Sequence, residues 1–212
     1  MSFPILYSFR RCPYAMRARL AILLGKKVVQ LREVVLQDKP EALTSISLKA
    51  TVPVLQFSSG QIIEESLEIM LWALQEHSIW QALDTEQRKQ SLLLIEHNDI
   101  SFKNALDRYK YADRYPQQST AEYRAEGEIY LDILEQRLTQ SEGLVANELT
   151  LADFAILPFV RQFAFVDMAW FESSPYPAVR NWLQAFLNSE VFLQIMHKYP
   201  QWQENDEIRL FP

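Results

Sequence analysis

One stretch of this chain is equipped for nucleophilic chemistry: Arg10-Arg11-Cys12-Pro13-Tyr14-Ala15-Met16-Arg17-Ala18-Arg19, which holds the sole cysteine. Proline is favoured at the first position of a helix, where its missing N–H costs no hydrogen bond. Cys12 therefore falls at the N-cap of a helix running to Leu24, its sulfur beside first-turn amides that lack intrahelical partners. The positive end of a helix and nearby guanidinium groups both stabilise a thiolate, and Arg10, Arg11 and Arg17 supply the latter. The plainer use of a lone cysteine is as a small buried hydrophobe. As a nucleophile, Cys12 would attack a disulfide or an electrophile, and the resolving thiol would come from outside the chain.

Other catalytic sets are missing from the sequence. His77, His97 and His197 have no metal-ligand spacing and read as ordinary helix residues, so no metal is expected. No Gly-rich phosphate loop occurs, which leaves nucleotide chemistry without support. The 212 residues carry a net charge of −6, which argues against nucleic acid as a partner. The charge is unevenly spread: nine Lys/Arg against seven Asp/Glu in residues 1–80, then twelve against twenty in 81–212. The basic excess thus lies with Cys12. A single cysteine allows no internal disulfide framework, and a reducing, cytoplasmic setting is expected. The longest apolar runs are too short to cross a bilayer, and no signal peptide is expected.

The elements around the cysteine follow from pattern. Phe3–Phe9 and the β-branched stretch Val28–Leu36 read as strands, and a crossover helix between them favours a parallel pair. Gly25 is placed to close that helix. A short helix opens near Pro40. Val52–Phe57 and Gln61–Glu64, joined through Ser58-Ser59-Gly60, read as a hairpin. Ser66 is positioned to cap a helix with an apolar face at Leu67, Ile69, Met70, Leu71 and Leu74. The order is β-α-β-α-β-β-α.

From Trp80 onward no strand is evident, only long amphipathic stretches punctuated by Pro116, Pro175, Pro177 and Pro200. Thr150 and Asp153 have capping-box spacing, with Leu149 and Phe154 as a hydrophobic staple, and should start the central helix of this part. The division is therefore 1–77 for a mixed domain, 78–85 for a linker and 86–212 for an all-helical domain.

Together these residues resemble the glutathione S-transferase superfamily, a thioredoxin-like α/β N-terminal domain followed by an all-α domain. The similarity is greatest to its cysteine-type, omega-like members, with glutaredoxin 2-type proteins more distant. The pattern Cys-Pro-(Phe/Tyr)-x-x-(Arg/Lys) stands here as Cys12 to Arg17, the Val-Pro element as Val52-Pro53-Val54-Leu55 and the Glu-Ser pair as Glu65-Ser66. Ala15 replaces the second cysteine of dithiol glutaredoxins, and Leu48-Lys49-Ala50-Thr51 replaces the usual Asn-Pro-x-Gly approach to the Val-Pro element.

The resemblance implies glutathione as co-substrate. It implies a cis bond before Pro53, with the Val52 backbone paired to the cysteinyl segment of glutathione. Ser66 would hold the γ-glutamyl carboxylate, Glu65 its amine, and Lys39 the glycine carboxylate. The residues alone also allow an ordinary edge-strand proline, a helix cap and two solvated charges. Expected walls for a second substrate are Tyr14, Phe102, Tyr109 and Tyr111, with Phe165 a further candidate.

The expected activity is glutathione-dependent thiol transfer or dehydroascorbate-type reduction through a Cys12–glutathione mixed disulfide, on a small disulfide, oxidant or electrophile. Two alternatives stand beside it. One is conjugation, in which the enzyme activates the glutathione thiol through a hydroxyl such as Tyr7. The other is a non-catalytic, protein-binding use of the same fold. A homodimer through helices 66–75 and 86–105 is expected by resemblance.

Overall fold

The computed structural model describes residues 3–212. The chain divides into two compact units, one formed by residues up to Gln81 together with Ser189–Pro212, the other by Ala82–Asn188.

In the first unit β1 (Ile5–Ser8) leads through α1 (Pro13–Leu24) to β2 (Val29–Glu33), then α2 (Glu41–Thr44), β3 (Val54–Gln56), β4 (Ile62–Ile63), α3 (Ser66–Leu74) and α4 (Ser78–Gln81). β1 and β2 are parallel, with Leu6 beside Leu31, as a strand–helix–strand crossover demands. β1–β3 and β3–β4 are antiparallel, pairing Tyr7 with Val54 and Leu55 with Ile63. Tyr7, Ala15, Val34, Leu43, Val52 and Val54 form a buried cluster, and Cys12 packs against it.

Gly25 does close α1, though not by adopting a left-handed conformation. Its φ is −75°, and Lys26 carries the positive φ of 51° instead. The glycine is required by contact: a Cβ there would lie 2.2 Å from the Ala73 carbonyl oxygen of α3.

The second unit comprises α5 (Thr85–His97), a π-helical turn (Asn98–Phe102), α6 (Lys103–Lys110), α7 (Thr120–Leu138), α8 (Leu151–Ala164), α9 (Met168–Ser173) and α10 (Pro177–Leu187). α8 is its centre, buried at every position from Leu151 to Val160. Asp153 starts this helix by accepting from the Thr150 N–H and hydroxyl at 2.8 and 2.9 Å. Gly127 of α7 admits the Phe163 ring of α8, for a Cβ would sit 2.4 Å from it.

The chain then forms α11 (Glu190–Ile195) and β5 (Leu210–Phe211), both within the first unit. β5 pairs antiparallel with β2, Val29 opposite Phe211, and completes a sheet of order β4-β3-β1-β2-β5. This corrects the expectation of no strand after Trp80, and residues 189–212 group with the mixed unit rather than with the helical one. Two residues are too few to show an alternating pattern; the unpaired edge of β2 is what makes them a strand.

Two arginines, one buried and one half-buried, anchor α11. Arg19 of α1, fully buried, forms an ion pair with Glu33 and donates to Ser8 Oγ at 2.8 Å and to the Ile195 carbonyl at 3.2 Å. Arg10 donates from Nη1 to the Met196 carbonyl at 3.2 Å, while its backbone N–H goes to Glu33. Guanidinium groups at the carbonyl end of a helix satisfy its orphan acceptors and its dipole together.

Candidate active site

Cys12 is the N-cap of α1, with φ −78°, ψ 125° and Pro13 next. Its N–H is held by the Phe9 carbonyl at 3.0 Å and its own carbonyl accepts from Met16 at 2.9 Å, which fixes the turn that presents the sulfur. The half-buried thiol makes no cap hydrogen bond to the first turn, but points across to the Val52 carbonyl, 3.6 Å from Sγ. The Val52–Pro53 bond is cis, as the resemblance implies. Thus the cysteine and the Val-Pro element, forty residues apart in sequence, meet at one place.

Ser66 lies nearby in the network but not as a cap. Glu65 occupies the N-cap position of α3, and Ser66 is its first helical residue. The Ser66 hydroxyl instead accepts from Nη1 of Arg17 at 3.3 Å, and both side chains are buried. This corrects the reading of Ser66 as the cap of α3. Arg17 turns a guanidinium toward the start of α3, and Arg10 toward α11. Arg11 is exposed, its guanidinium 5.6 Å from the Phe9 ring.

Glu65 is exposed and paired with Lys49 at 2.6 Å. Lys49 raises no signal in the sequence beyond a basic residue in the loop before Val52. The pairing pushes its ammonium pKa upward, chiefly through the hydrogen bond to Glu65 and its charge. Ser47, two residues earlier, donates to Glu64, so this loop meets both acids that precede α3. Ala50 in the same loop has φ 45° and its N–H is held by Ser47. Lys39 is exposed, between the Val35–Asp38 turn and α2, and is joined to Cys12 or Val52 by no described hydrogen bond.

Tyr7 is 1% exposed. Its hydroxyl accepts from Arg32 Nη1 at 2.6 Å and donates to the Ala42 carbonyl at 3.2 Å. Burial raises its pKa, with the Arg32 charge opposing. Both capacities of the hydroxyl are spent inside the protein.

The expected second-substrate residues separate into two kinds. Phe102 and Tyr109 are 1% and 2% exposed, and both pack on Phe163, with ring centroids 5.3 and 4.9 Å away. They are core of the helical unit, which corrects their reading as walls; helical spacing shows that an aromatic has an inward face, not what fills the space before it. Tyr14 and Tyr111 are half-buried. Arg17 lies 5.6 Å from the Tyr14 ring, and Lys110 and Arg114 lie 4.9 and 4.5 Å from that of Tyr111. Phe165 is about half exposed, with Arg161 over its ring.

Among the described residues no group of acids, histidines and cysteine is placed to hold a metal ion, and no helix is long and apolar enough to cross a membrane.

The family models agree with this architecture on both sides of the chain. Residues 6–84 match the glutathione S-transferase N-terminal domain, and residues 117–185 match the C-terminal domain. The chain belongs to the glutathione S-transferase superfamily. Within that superfamily its fold is similar to that of a possible glutathione S-transferase from Rhodopseudomonas palustris, with TM-score 0.79 and 21% identity over 93% of this chain and 100% of the other. It is similar, too, to glutathione transferase URE2P6 from Phanerochaete chrysosporium in complex with oxidised glutathione (TM-score 0.78, 16% identity, 92% and 94% covered). A family member from Pseudomonas fluorescens Pf-5 with two glutathione bound gives TM-score 0.77 at 16% identity, with 92% of each chain covered. At these identities the likeness is one of fold. No curated protein matches the sequence significantly.

Proposed function

We propose that this transferase homologue is an omega-like, glutathione-dependent thiol transferase that works through a Cys12–glutathione mixed disulfide. The observation that carries the reading is the meeting of Cys12 Sγ with the Val52 carbonyl at 3.6 Å, beside the cis Val52–Pro53 bond. A peptide that pairs with the Val52 backbone as an added strand brings its own cysteinyl sulfur next to Cys12. Ser66 and the first amides of α3 receive the γ-glutamyl carboxylate, Glu65 its amine and Lys39 the glycine carboxylate. Because Arg17 donates to Ser66, the hydroxyl keeps its own proton for the ligand.

The Cys12 thiolate attacks the glutathionyl sulfur of a disulfide R–S–S–G. The old S–S bond breaks, R–S⁻ departs with the electron pair and takes a proton from water, and Cys12–S–S–G remains. A second glutathione thiolate attacks the glutathionyl sulfur, giving oxidised glutathione and restoring the Cys12 thiolate. Ala15 leaves no second cysteine to compete as the resolving thiol. Conjugation through Tyr7 is disfavoured by the engagement of its hydroxyl on both sides.

The second substrate is a small disulfide or electrophile, with Tyr14, in the unit that holds Cys12, as the candidate contact. Leu92, Leu93 and Ile100 are 39%, 54% and 65% exposed along α5 and the π-helical turn, which supports homodimerisation through this face. The lone thiol favours a reducing, cytoplasmic setting.

Glutathione-dependent reduction of a small glutathionyl mixed disulfide tests the reading. Wild type should turn the disulfide over and Cys12→Ser should not; equal rates in the two proteins would overturn it.

A further inference from the structure

The segment that carries Lys39 cannot hold its own position. α2 is a single turn, far below the length at which a helix persists unaided. Leu36 to Lys39 are all exposed. Leu43 anchors the far end of α2 in the core. The near end is held by the Asp38 N–H on the Val35 carbonyl at 3.0 Å and by the C-terminal segment.

Gln201 donates from Nε2 to the Asp38 carboxylate at 2.9 Å and to its carbonyl at 3.3 Å. Trp202 acts on the other side of Lys39 through a relay. Its indole lies over the Arg32 guanidinium at 4.0 Å and meets the Tyr7 ring edge-on at 6.4 Å. Arg32 donates to the Tyr7 hydroxyl, and that hydroxyl donates to the Ala42 carbonyl in α2. Residues 38 and 42, which bracket Lys39 and Pro40, are thus tied to adjacent residues of one strap.

The strap is secured independently of these side chains. The Trp202 N–H goes to the Glu33 carbonyl at 2.8 Å, the Leu31 N–H goes to the Arg209 carbonyl at 2.8 Å, and β5 follows. Small cavities of about 190 and 180 Å³ flank the indole, both lined by Ala42, Trp202 and Glu204. The ring is therefore a wedge between α2 and the strap rather than part of a close-packed core.

We propose that Trp202 and Gln201 are positioning residues for glutathione, setting the place of Lys39 so that its ammonium meets the glycine carboxylate. The inference rests on the glutathione site proposed above and extends it to residues at the opposite end of the chain. It requires that the strap matter only to the glycine end of the ligand.

The test measures equilibrium affinity for glutathione and for γ-glutamylcysteine, which lacks the glycine. Trp202→Ala should weaken glutathione about five- to tenfold, the scale of a lost cation–π contact, and leave γ-glutamylcysteine within about twofold. Trp202→Phe should restore most of the loss, since a ring again covers Arg32. Gln201→Ala, at a half-buried position on the strap whose backbone bonds remain, should cost about twofold, again for glutathione only. In the Lys39→Ala background Trp202→Ala should have no further effect. Equal losses for both ligands, or none for either, would overturn the inference while leaving the glutathione site standing. A wild-type protein that binds neither ligand would overturn both.

Discussion

Two helix starts, one in each unit, show how the same backbone chemistry can be put to opposite uses. At the start of α8 the protein closes the site on itself. Asp153 is fully buried and accepts from the Thr150 N–H and hydroxyl, the Leu144 N–H at 3.0 Å and Trp182 Nε1 at 3.1 Å. At the start of α1 the residue in the capping position is a half-buried cysteine that makes no cap hydrogen bond and faces the Val52 carbonyl. A carboxylate surrounded by four donors builds a rigid joint. A half-buried thiol at a helix N-terminus, facing a backbone carbonyl, is where the proposed function has a peptide thiol received. α3 is an intermediate case: Glu65 at its N-cap makes no cap hydrogen bond and pairs with Lys49, while Arg17 donates to the Ser66 hydroxyl.

This contrast predicts which substitutions trade stability and which trade binding. Asp153→Ala should have the largest effect, about 3 kcal/mol or more of unfolding free energy, because several buried donors lose their acceptor together. Denaturant titration would measure it. Glutathione affinity of the folded fraction should be unchanged; a matching loss of affinity would break the contrast.

Asp153 also sets a pH dependence. Burial pushes its pKa up to about 6 from 3.8, with the hydrogen bonds from Thr150, Leu144 and Trp182 opposing that rise. Between those values the folded state holds the proton more tightly than the unfolded chain does. The contribution is therefore fully present below the unfolded pKa and is lost as pH rises through 6. Its full span is on the order of 3 kcal/mol. Stability measured in wild type and Asp153→Asn across pH 4 to 7, as a difference, should show that slope in wild type alone.

Ser66→Ala should show the reverse pattern. The expected loss is about tenfold in glutathione affinity, the scale of one hydrogen bond to a charged group, with stability changed by less than about 1 kcal/mol. Isothermal titration would report it, and unaltered affinity would remove Ser66 from the site.

The smallest effect is expected at Ala50. Its φ of 45° lies in the left-handed region that disfavours a Cβ, so Ala50→Gly should stabilise by up to about 1 kcal/mol. A midpoint shift in denaturant would register this. A loss of stability would mean that the backbone freedom added to the unfolded chain outweighs the strain relieved.

The features legible in the sequence share a local cause. Proline after Cys12, the β-branched run at Val28–Leu36 and the Thr150–Asp153 spacing each act within a few residues, and the elements they imply are present. What was not legible depends on distant partners. Ser66 is a natural helix cap by type, but a buried guanidinium from α1 claims its hydroxyl. Phe102 and Tyr109 have the spacing of a helix face, and only packing shows that Phe163 fills the space before them. Leu210-Phe211 becomes a strand because β2 has an edge to share. Trp202 is linked to α2 through Arg32 and Tyr7, residues 170 or more positions earlier in the chain.

The central claim, that the N-cap of α1 is an acceptor site for the glutathionyl group, is tested most directly by intact-mass analysis after exposure to oxidised glutathione. Wild type should gain one glutathionyl group that is released by a reductant, and Cys12→Ser should gain none. The absence of an adduct in wild type, or an equal adduct in the variant, would contradict the account.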